Sequence, residues 1–358
     1  VQRMTVLSMI IAVIVVSLVV VEAFNYQVTV SQRDTSPILA YIDKTSVYQQ
    51  IFNPTWIEPT PLTNGKGGLL ARTQNCDSPV DAEKCTFCGG SQDKASILTY
   101  SEQKADGTFT VVDENSVVFG PSDNTDSWGT EDPRMKFNPH DNLYYMFYTA
   151  YNGSAIFLNL ATSTNPTQAG SAWSKLGPVF PSEQNSKSAA LLVPEKKSEE
   201  DKYYLFWGDH DIRVTSSSDP KTWADIGTIL ISPREDHFDS KLVESGPPPL
   251  LLSTGDYLFF YNSAEIGWPD DTNTAYHVGY LILDGKDPTQ IKVRSETPLM
   301  GPEYSWEKGV SPYACNVPNV VFLEAAHPVE GEKDTFRVFF GAADATIGSA
   351  TVKVTISK

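Results

Sequence analysis

Short aromatic strands return along this chain at long intervals: Leu69–Arg72, Tyr144–Tyr151, Tyr203–Gly208, Tyr257–Asn262 and Phe336–Gly341. Such runs carry the β-branched and aromatic side chains that pack well on a pleated surface. Their spacing, roughly 50 to 80 residues, is the interval expected when each belongs to one propeller blade. Two of the repeats extend further, with Ala161-Thr162-Ser163 leading to Trp173 and Val214-Thr215-Ser216 leading to Trp223, so the repeating unit is larger than one strand. No helix-period pattern outside the N-terminal segment competes with them. The expectation is an all-β chain folded as a five-bladed β-propeller over residues 51–358, preceded by a weakly patterned leader at 24–50.

The segment ahead of these repeats reads as a targeting sequence. Arg3 supplies a basic flank, Thr5–Val21 is an almost unbroken apolar run, and Val21-Glu22-Ala23 ends in the small residues a signal peptidase prefers. Residues 1–23 are therefore expected to be a signal peptide or, because the run is long for a signal core, an uncleaved signal anchor. Either makes the rest of the chain extracellular, secreted in the first case and membrane-anchored in the second. Cysteine usage agrees: Cys76, Cys85 and Cys88 crowd one loop, Cys315 stands apart, and an oxidising compartment makes all four disulfide candidates. Cys85-Thr86-Phe87-Cys88 has a zinc-like spacing, but no second pair follows it, so no metal is expected. Asn152-Gly153-Ser154 is a candidate glycosylation site. The net charge of -17 argues against nucleic acid as a partner, since no basic cluster is present to neutralise phosphates.

A propeller gathers strand ends round a central pit, where a ligand pocket forms. If the aromatic strands face that pit, the polar residues at their mouths are Asn53, Arg72, Asp132, Arg134, Lys187, Asp209, Glu244, Glu265 and Asp344. Within Gly129-Thr130-Glu131-Asp132-Pro133-Arg134 the period of an extended strand sets Asp132 and Arg134 on one side and turns Glu131 away as a structural brace. This segment, with Asn53-Pro54, Ser245-Gly246-Pro247-Pro248-Pro249, Tyr276–Asp284 and Phe340-Gly341-Ala342-Ala343-Asp344, resembles glycoside hydrolase family 130 from about Phe52 to Thr351. The resemblance implies a five-bladed propeller acting on β-mannosides. Most such enzymes are inverting phosphorylases that yield mannose 1-phosphate, and some are β-1,2-mannosidases that use water. It further implies Asp132 as proton donor acting through a mannosyl hydroxyl, Asn53 and Asp344 as sugar ligands, and Arg72 and Lys187 as phosphate ligands. Two other phosphate ligands are missing: Tyr261-Asn262 stands where a histidine is expected, and Gly208-Asp209-His210 where an arginine is expected.

Losing two cations where a phosphate nucleophile would sit shifts the expectation towards water. Inverting hydrolysis needs a second carboxylate, roughly 6.5 to 9.5 Å from the acid, to activate that water. Glu244 and Glu265 are the two candidates for this base. The expected protein is thus a secreted glycosidase hydrolysing β-1,2- or β-1,4-linked mannosides, with Asn53, Arg72, Arg134, Lys187, Asp209, Asn262 and Asp344 binding substrate. One alternative is a β-mannoside phosphorylase with inorganic phosphate as a second partner; another is a propeller that binds carbohydrate without turnover. The partner is a mannose-containing oligosaccharide, no cofactor is expected, and a membrane is involved only if the N-terminal segment stays as an anchor. Trp207, Trp268 and Trp306 are candidate sugar platforms, with at least two of them expected to pack between blades.

Overall fold

The computed structural model describes residues 24–40, 48–75, 95–122, 124–196, 198, 201–266, 274–310, 313 and 315–358. Their strands form five antiparallel sheets, the blades of a β-propeller. Blade 1 contains β2 (Gln50–Ile57), β3 (Gly68–Gln74), β4 (Ile97–Glu102) and β5 (Val117–Phe119). Blade 2 contains β6 (Gly129–Asn138), β7 (Leu143–Tyr151), β8 (Ile156–Ser163) and β9 (Trp173–Pro178). Blade 3 contains β10 (Ala189–Leu192), β11 (Tyr203–Trp207), β12 (Ile212–Ser217) and β13 (Thr228–Ile231). Blade 4 contains β14 (Leu242–Ser245), β16 (Tyr257–Ile266), β17 (Thr274–Leu283) and β18 (Ile291–Arg294), with β15 (Leu250–Leu251) also paired to β16. Blade 5 contains β19 (Val321–Pro328), β20 (Thr335–Ala342), β21 (Thr346–Ser357) and, as its outer strand, β1 (Asn25–Arg33).

Through that last pairing, part of the 24–50 leader is a strand of the propeller. β1 runs antiparallel to β21 from Asn25↔Ser357 to Arg33↔Ala350, so one sheet contains strands from both ends of the described fold. Leu39 and Tyr48 then join Phe339 and Ile347 in the core between blades 5 and 1. Its sequence pattern is weak because an outer strand has one covered face at most: Val28 is buried and its neighbours in the strand are half-buried or exposed.

The aromatic strands are the second strand of each blade, not the innermost. A second strand is flanked by strands on both edges and by neighbouring blades on both faces, so it reads as a continuous apolar run. β7 buries every residue from Tyr144 to Ala150. The cores lie at the seams between blades: Phe206 meets Phe259 with centroids 4.8 Å apart between blades 3 and 4, and Phe260 packs with Val338 and Phe340 between blades 4 and 5. Each such side chain contributes about 1.5–3 kcal/mol on burial. Trp306 belongs to this packing, stacked on Phe340 and donating to the Thr35 carbonyl, and Trp207 packs on Phe180 with its Nε1 donating to the Ile226 carbonyl. Trp268 lies outside the described residues.

The innermost strands are irregular, and the irregularity builds the site. β2 breaks register between Phe52 and Pro54, and β6 breaks register between Glu131 and Arg134. Asn53 falls in the first break and Asp132 and Pro133 in the second, and Asn53 and Asp132 have φ of 46° and 47°. Asn and Asp tolerate this left-handed region better than other non-glycine residues, and the proline after each lacks the N–H that a regular ladder would require. Holding a residue there costs about 1–3 kcal/mol and persists only where surrounding contacts fix it. Here the bulge turns the side chain towards the axis.

Arg134 supplies much of that fixing. Its side chain is fully buried, donates to the carbonyls of Asp132 at 2.8 Å and Ser245 at 3.0 Å, and pairs with Glu324 at 2.8 Å. One guanidinium thus ties blades 2, 4 and 5 together on the axis. Among the described residues no helix is long and apolar enough to cross a membrane. Cys315 is buried and is not a free thiol; Cys76, Cys85 and Cys88 lie outside the described residues, as do residues 1–23. Asn152 sits in the turn between β7 and β8, its Oδ1 accepting from the N–H groups of Ser154 and Ala155.

Candidate active site

Asn53, Arg72, Glu131, Asp132, Thr149, Lys187, Glu244, Tyr276 and Asp344 line one cavity of about 230 Å³, with Ile156, Val317, Val320 and Phe322 as its apolar wall. They arrive from all five blades. Asn53 and Asp132 come from the bulges of β2 and β6, Arg72 from β3, Lys187 from the turn before β10, Glu244 from β14, Tyr276 from β17, and Asp344 from the β20–β21 turn. Asp344 and Ser188, the neighbour of Lys187, also adopt positive φ, 48° and 56°. Backbone strain of this kind concentrates where function fixes geometry.

The cavity wall has two charge clusters. In the first, Asp132 Oδ1 accepts from Asn53 Nδ2 at 2.9 Å and from Arg72 Nη1 at 3.1 Å. Arg72 Nη2 also pairs with Glu131 Oε1 at 2.9 Å, and the guanidinium lies over the Phe52 ring at 4.9 Å. In the second, Lys187 Nζ is 3.2 Å from Glu244 Oε1 and 4.0 Å from Asp209, and Ser188 Oγ donates to the other oxygen of Glu244 at 2.7 Å. Burial pushes the carboxyl of Asp132 up, but Arg72, Arg134 and the Asn53 hydrogen bond outweigh it and hold Asp132 below the usual range. Burial dominates at Glu131, which is raised despite Arg72. Burial also pushes Asp344 up to about 7, with Asp132 and Glu244 adding to it and Arg72 and Lys187 opposing. Tyr276 is pushed up to about 12 by burial and by Glu244, so it stays a neutral donor.

The shift at Asp344 has a measurable sign. The folded chain keeps a proton there up to about pH 7, whereas the unfolded chain releases it near the ordinary value of 3.8. Stability from this group is therefore complete below 3.8 and is lost as pH rises through about 7. Asp344→Asn removes the loss, and its stability relative to wild type is expected to grow by about 1–3 kcal/mol between pH 5 and pH 8 in urea titrations. An unchanged difference across that range would assign the proton elsewhere.

Glycine places a second constraint. A Cβ on Gly341 would lie 2.0 Å from Asn53 Oδ1 and 2.9 Å from its backbone nitrogen. Gly341→Ala is expected to displace Asn53 and with it the hydrogen bond to Asp132, lowering kcat/KM by about 100-fold with the fold intact by circular dichroism.

A family model described as beta-1,4-mannooligosaccharide phosphorylase, Glyco_hydro_130, matches residues 84–356. The chain belongs to glycoside hydrolase family 130. Two proteins of Thermoanaerobacter sp. (strain X514) are similar to it. A 1,2-beta-oligomannan phosphorylase is 33% identical over 230 residues, 63% of this chain and 69% of that protein. A beta-1,2-mannobiose phosphorylase is 32% identical over 229 residues, 64% of this chain and 68% of that protein. Among solved structures, one reported with the statement that this family of mannoside phosphorylases contains glycoside hydrolases targeting beta-1,2 mannosidic linkages in Candida mannan aligns at TM-score 0.70 and 25% identity, covering 89% of this chain and 92% of that one. The Listeria innocua beta-1,2-mannobiose phosphorylase shares the fold at TM-score 0.70 and 21% identity, over 91% of this chain and 96% of that one.

Within this family 130 cavity the structure gathers Asn53, Arg72, Asp132, Lys187, Glu244 and Asp344. Asp209 stands beside Lys187 and lines an adjoining cleft of about 170 Å³ with Trp207, Gly208, His210, Asp211 and Arg213. Three expected members lie elsewhere. Arg134 is enclosed on the axis by protein partners and binds the backbone of Asp132, not its carboxylate. Asn262, on the second strand of its blade, donates to the Leu323 carbonyl at 3.0 Å and accepts from the Leu323 N–H at 2.6 Å, pinning β16 to β19. Glu265, further along β16, lies 3.2 Å from His277 Nε2 and does not line the cavity, which leaves Glu244 as the carboxylate from that pair within reach of a ligand. For Asn262 and Glu265 the cause is the placement of the aromatic strand β16 one position out from the innermost strand of its blade.

Glu131 is corrected in the opposite direction: it faces the cavity and pairs with Arg72. The β6 bulge adds a residue that breaks the two-residue alternation, so adjacent carboxylates share one face. Proline in a strand is the sequence signal for such a break, and Pro133 carries it. Tyr276 and Ser188 were likewise not anticipated as site residues, since neither an aromatic nor a serine is distinctive without its neighbours.

Proposed function

We propose that this family 130 chain cleaves β-linked mannosides, with β-1,2-mannose oligosaccharides as the substrate class and inorganic phosphate as the attacking group. The observation carrying the reading is that Arg72 and Lys187, two half-buried cations, share one cavity with Asp132, Asn53 and Asp344. The relatives described as phosphorylases at 32–33% identity support it. In this reading Asp132 supplies the proton to the departing sugar by way of the bound mannosyl unit, Asn53 fixes the acid, and Asp344, carrying its proton near neutral pH, hydrogen-bonds the sugar. Arg72 and Lys187 receive the phosphate oxygens, and attack opposite the leaving group inverts the anomeric carbon.

A specific observation favours hydrolysis as a second reading. Both cations already pair with cavity carboxylates, Arg72 with Glu131 and Asp132 and Lys187 with Glu244. Glu244 would then be the base that activates water. Incubation with β-1,2-mannobiose, with and without phosphate, separates the two. Phosphate-dependent mannose 1-phosphate supports the first reading, free mannose at an unchanged rate without phosphate supports the second, and binding without products leaves a lectin. Secretion or membrane anchoring is retained as a proposal on the strength of the Thr5–Val21 run and its small-residue boundary. N-terminal sequencing and localisation of the expressed protein test it.

A further inference from the structure

We propose that Glu131 is a positioning residue that sets the affinity for the attacking phosphate by competing with it for Arg72; this rests on the phosphorolytic reading. Four of the five N–H donors of Arg72 have acceptors: Nη2 with Glu131 at 2.9 Å and Gln74 at 3.5 Å, Nη1 with Asp132 at 3.1 Å, and Nε with Ser96 Oγ at 3.1 Å. A phosphate that takes two parallel N–H bonds from this guanidinium therefore displaces at least one of its present acceptors.

The two carboxylates are not equally held. Asp132 is fixed by the β6 bulge and by Asn53 Nδ2 at 2.9 Å as well as by Arg72. Glu131 has Ser96 Oγ at 3.0 Å, but that hydroxyl has one proton and also faces Gln74 Oε1 at 2.9 Å. Exchange at Glu131 thus breaks the fewest contacts. The second cation offers no easier route, because its partner Glu244 is 2% exposed and is held on both oxygens, by Lys187 and by Ser188. Burial also favours the neutral form of Glu131, so once parted from Arg72 it can take a proton and donate to the incoming oxygen. Glu131 acts here as an internal counter-anion: it lets the chain bury an arginine in the cavity and yields the place when phosphate arrives.

Glu131→Gln keeps the size and the acceptor oxygen but removes the charge. The expected result is a KM for phosphate lowered by about tenfold, with the KM for β-1,2-mannobiose changed by less than about twofold. Sulfate, a tetrahedral dianion that does not titrate near neutrality, should also protect the variant against thermal unfolding at about tenfold lower concentration than it protects wild type. That second readout needs no turnover. An unchanged or raised KM for phosphate together with unchanged sulfate protection overturns the proposal. Failure of the reading beneath it shows separately, as wild-type enzyme that releases only free mannose and gains no protection from phosphate or sulfate.

Discussion

If Asp132 is the proton donor proposed above, Asp132→Asn is expected to lower kcat for β-1,2-mannobiose by about 1,000-fold or more, while the KM values change far less. General acid assistance of a poor leaving group supplies about 10²–10⁴ in rate, and asparagine has no proton to give. The substitution preserves the other duties of the position, since an amide oxygen still accepts from Asn53 and Arg72 and the bulge at φ 47° suits asparagine as well as aspartate. The loss should shrink with the leaving group: an aryl β-mannoside, whose phenolate departs without protonation, is expected to lose much less than mannobiose. The acid must also be protonated when it acts, and Arg72 and Arg134 hold Asp132 below the usual range. In the phosphorolytic reading, a phosphate dianion seated on Arg72 adds negative charge beside Asp132 and so favours its protonated form. Rates within tenfold of wild type on mannobiose would remove Asp132 from the role of donor.

Arg134→Ala is expected to destabilise the propeller by about 3–5 kcal/mol, the usual consequence of deleting one partner of a buried ion pair. The change orphans Glu324, fully buried and 2.8 Å away, together with the carbonyls of Asp132 and Ser245. Burial already pushes Glu324 well above the usual carboxylate range against the pull of Arg134, so without the arginine it folds as the neutral acid. Two companion variants separate charge from packing. Arg134→Lys keeps the charge but lacks the fork that reaches three acceptors, and should fall between alanine and wild type. Adding Glu324→Gln to Arg134→Ala removes the buried acid and should restore about 1 kcal/mol or more. Urea titrations at fixed pH give these values, and an Arg134→Ala protein within 1 kcal/mol of wild type would show that the axis is held by other contacts.

Much of the architecture was legible because hydrophobic periodicity reports burial directly. Tyr144–Tyr151 and Tyr257–Asn262 are almost wholly aromatic or aliphatic, Thr149 and Asn262 apart, because they lie inside the wall of blades. Their radial position was not legible, since a buried strand has the same pattern wherever it is enclosed, and that is why Asn262 and Glu265 were expected in the pit. The β1–β21 pairing was hidden for the converse reason, as contacts between residues as distant as Asn25 and Ser357 leave no local pattern. The motif Glu-Asp-Pro-Arg marked the right place and assigned three of its side chains unevenly: Asp132 in the cavity, Arg134 on the axis, and Glu131 turned inward by a bulge.

By itself, then, the sequence determined the all-β class, the five aromatic repeats, the membership of family 130 and the polar residue types available for sugar chemistry. Each is a matter of composition and order along the chain. Tertiary structure alone decided which of those residues meet. Asn53, Arg72, Asp132, Lys187, Glu244 and Asp344 are contributed by five different blades, and their convergence depends on bulges that change which face a side chain occupies. It also decided that the site cations stand beside carboxylates, a pairing across blades that links Lys187 to Glu244 and Arg72 to Asp132. Charge balance in a buried cavity is a sum over neighbours in space, and it is on that sum that the choice between phosphate and water turns.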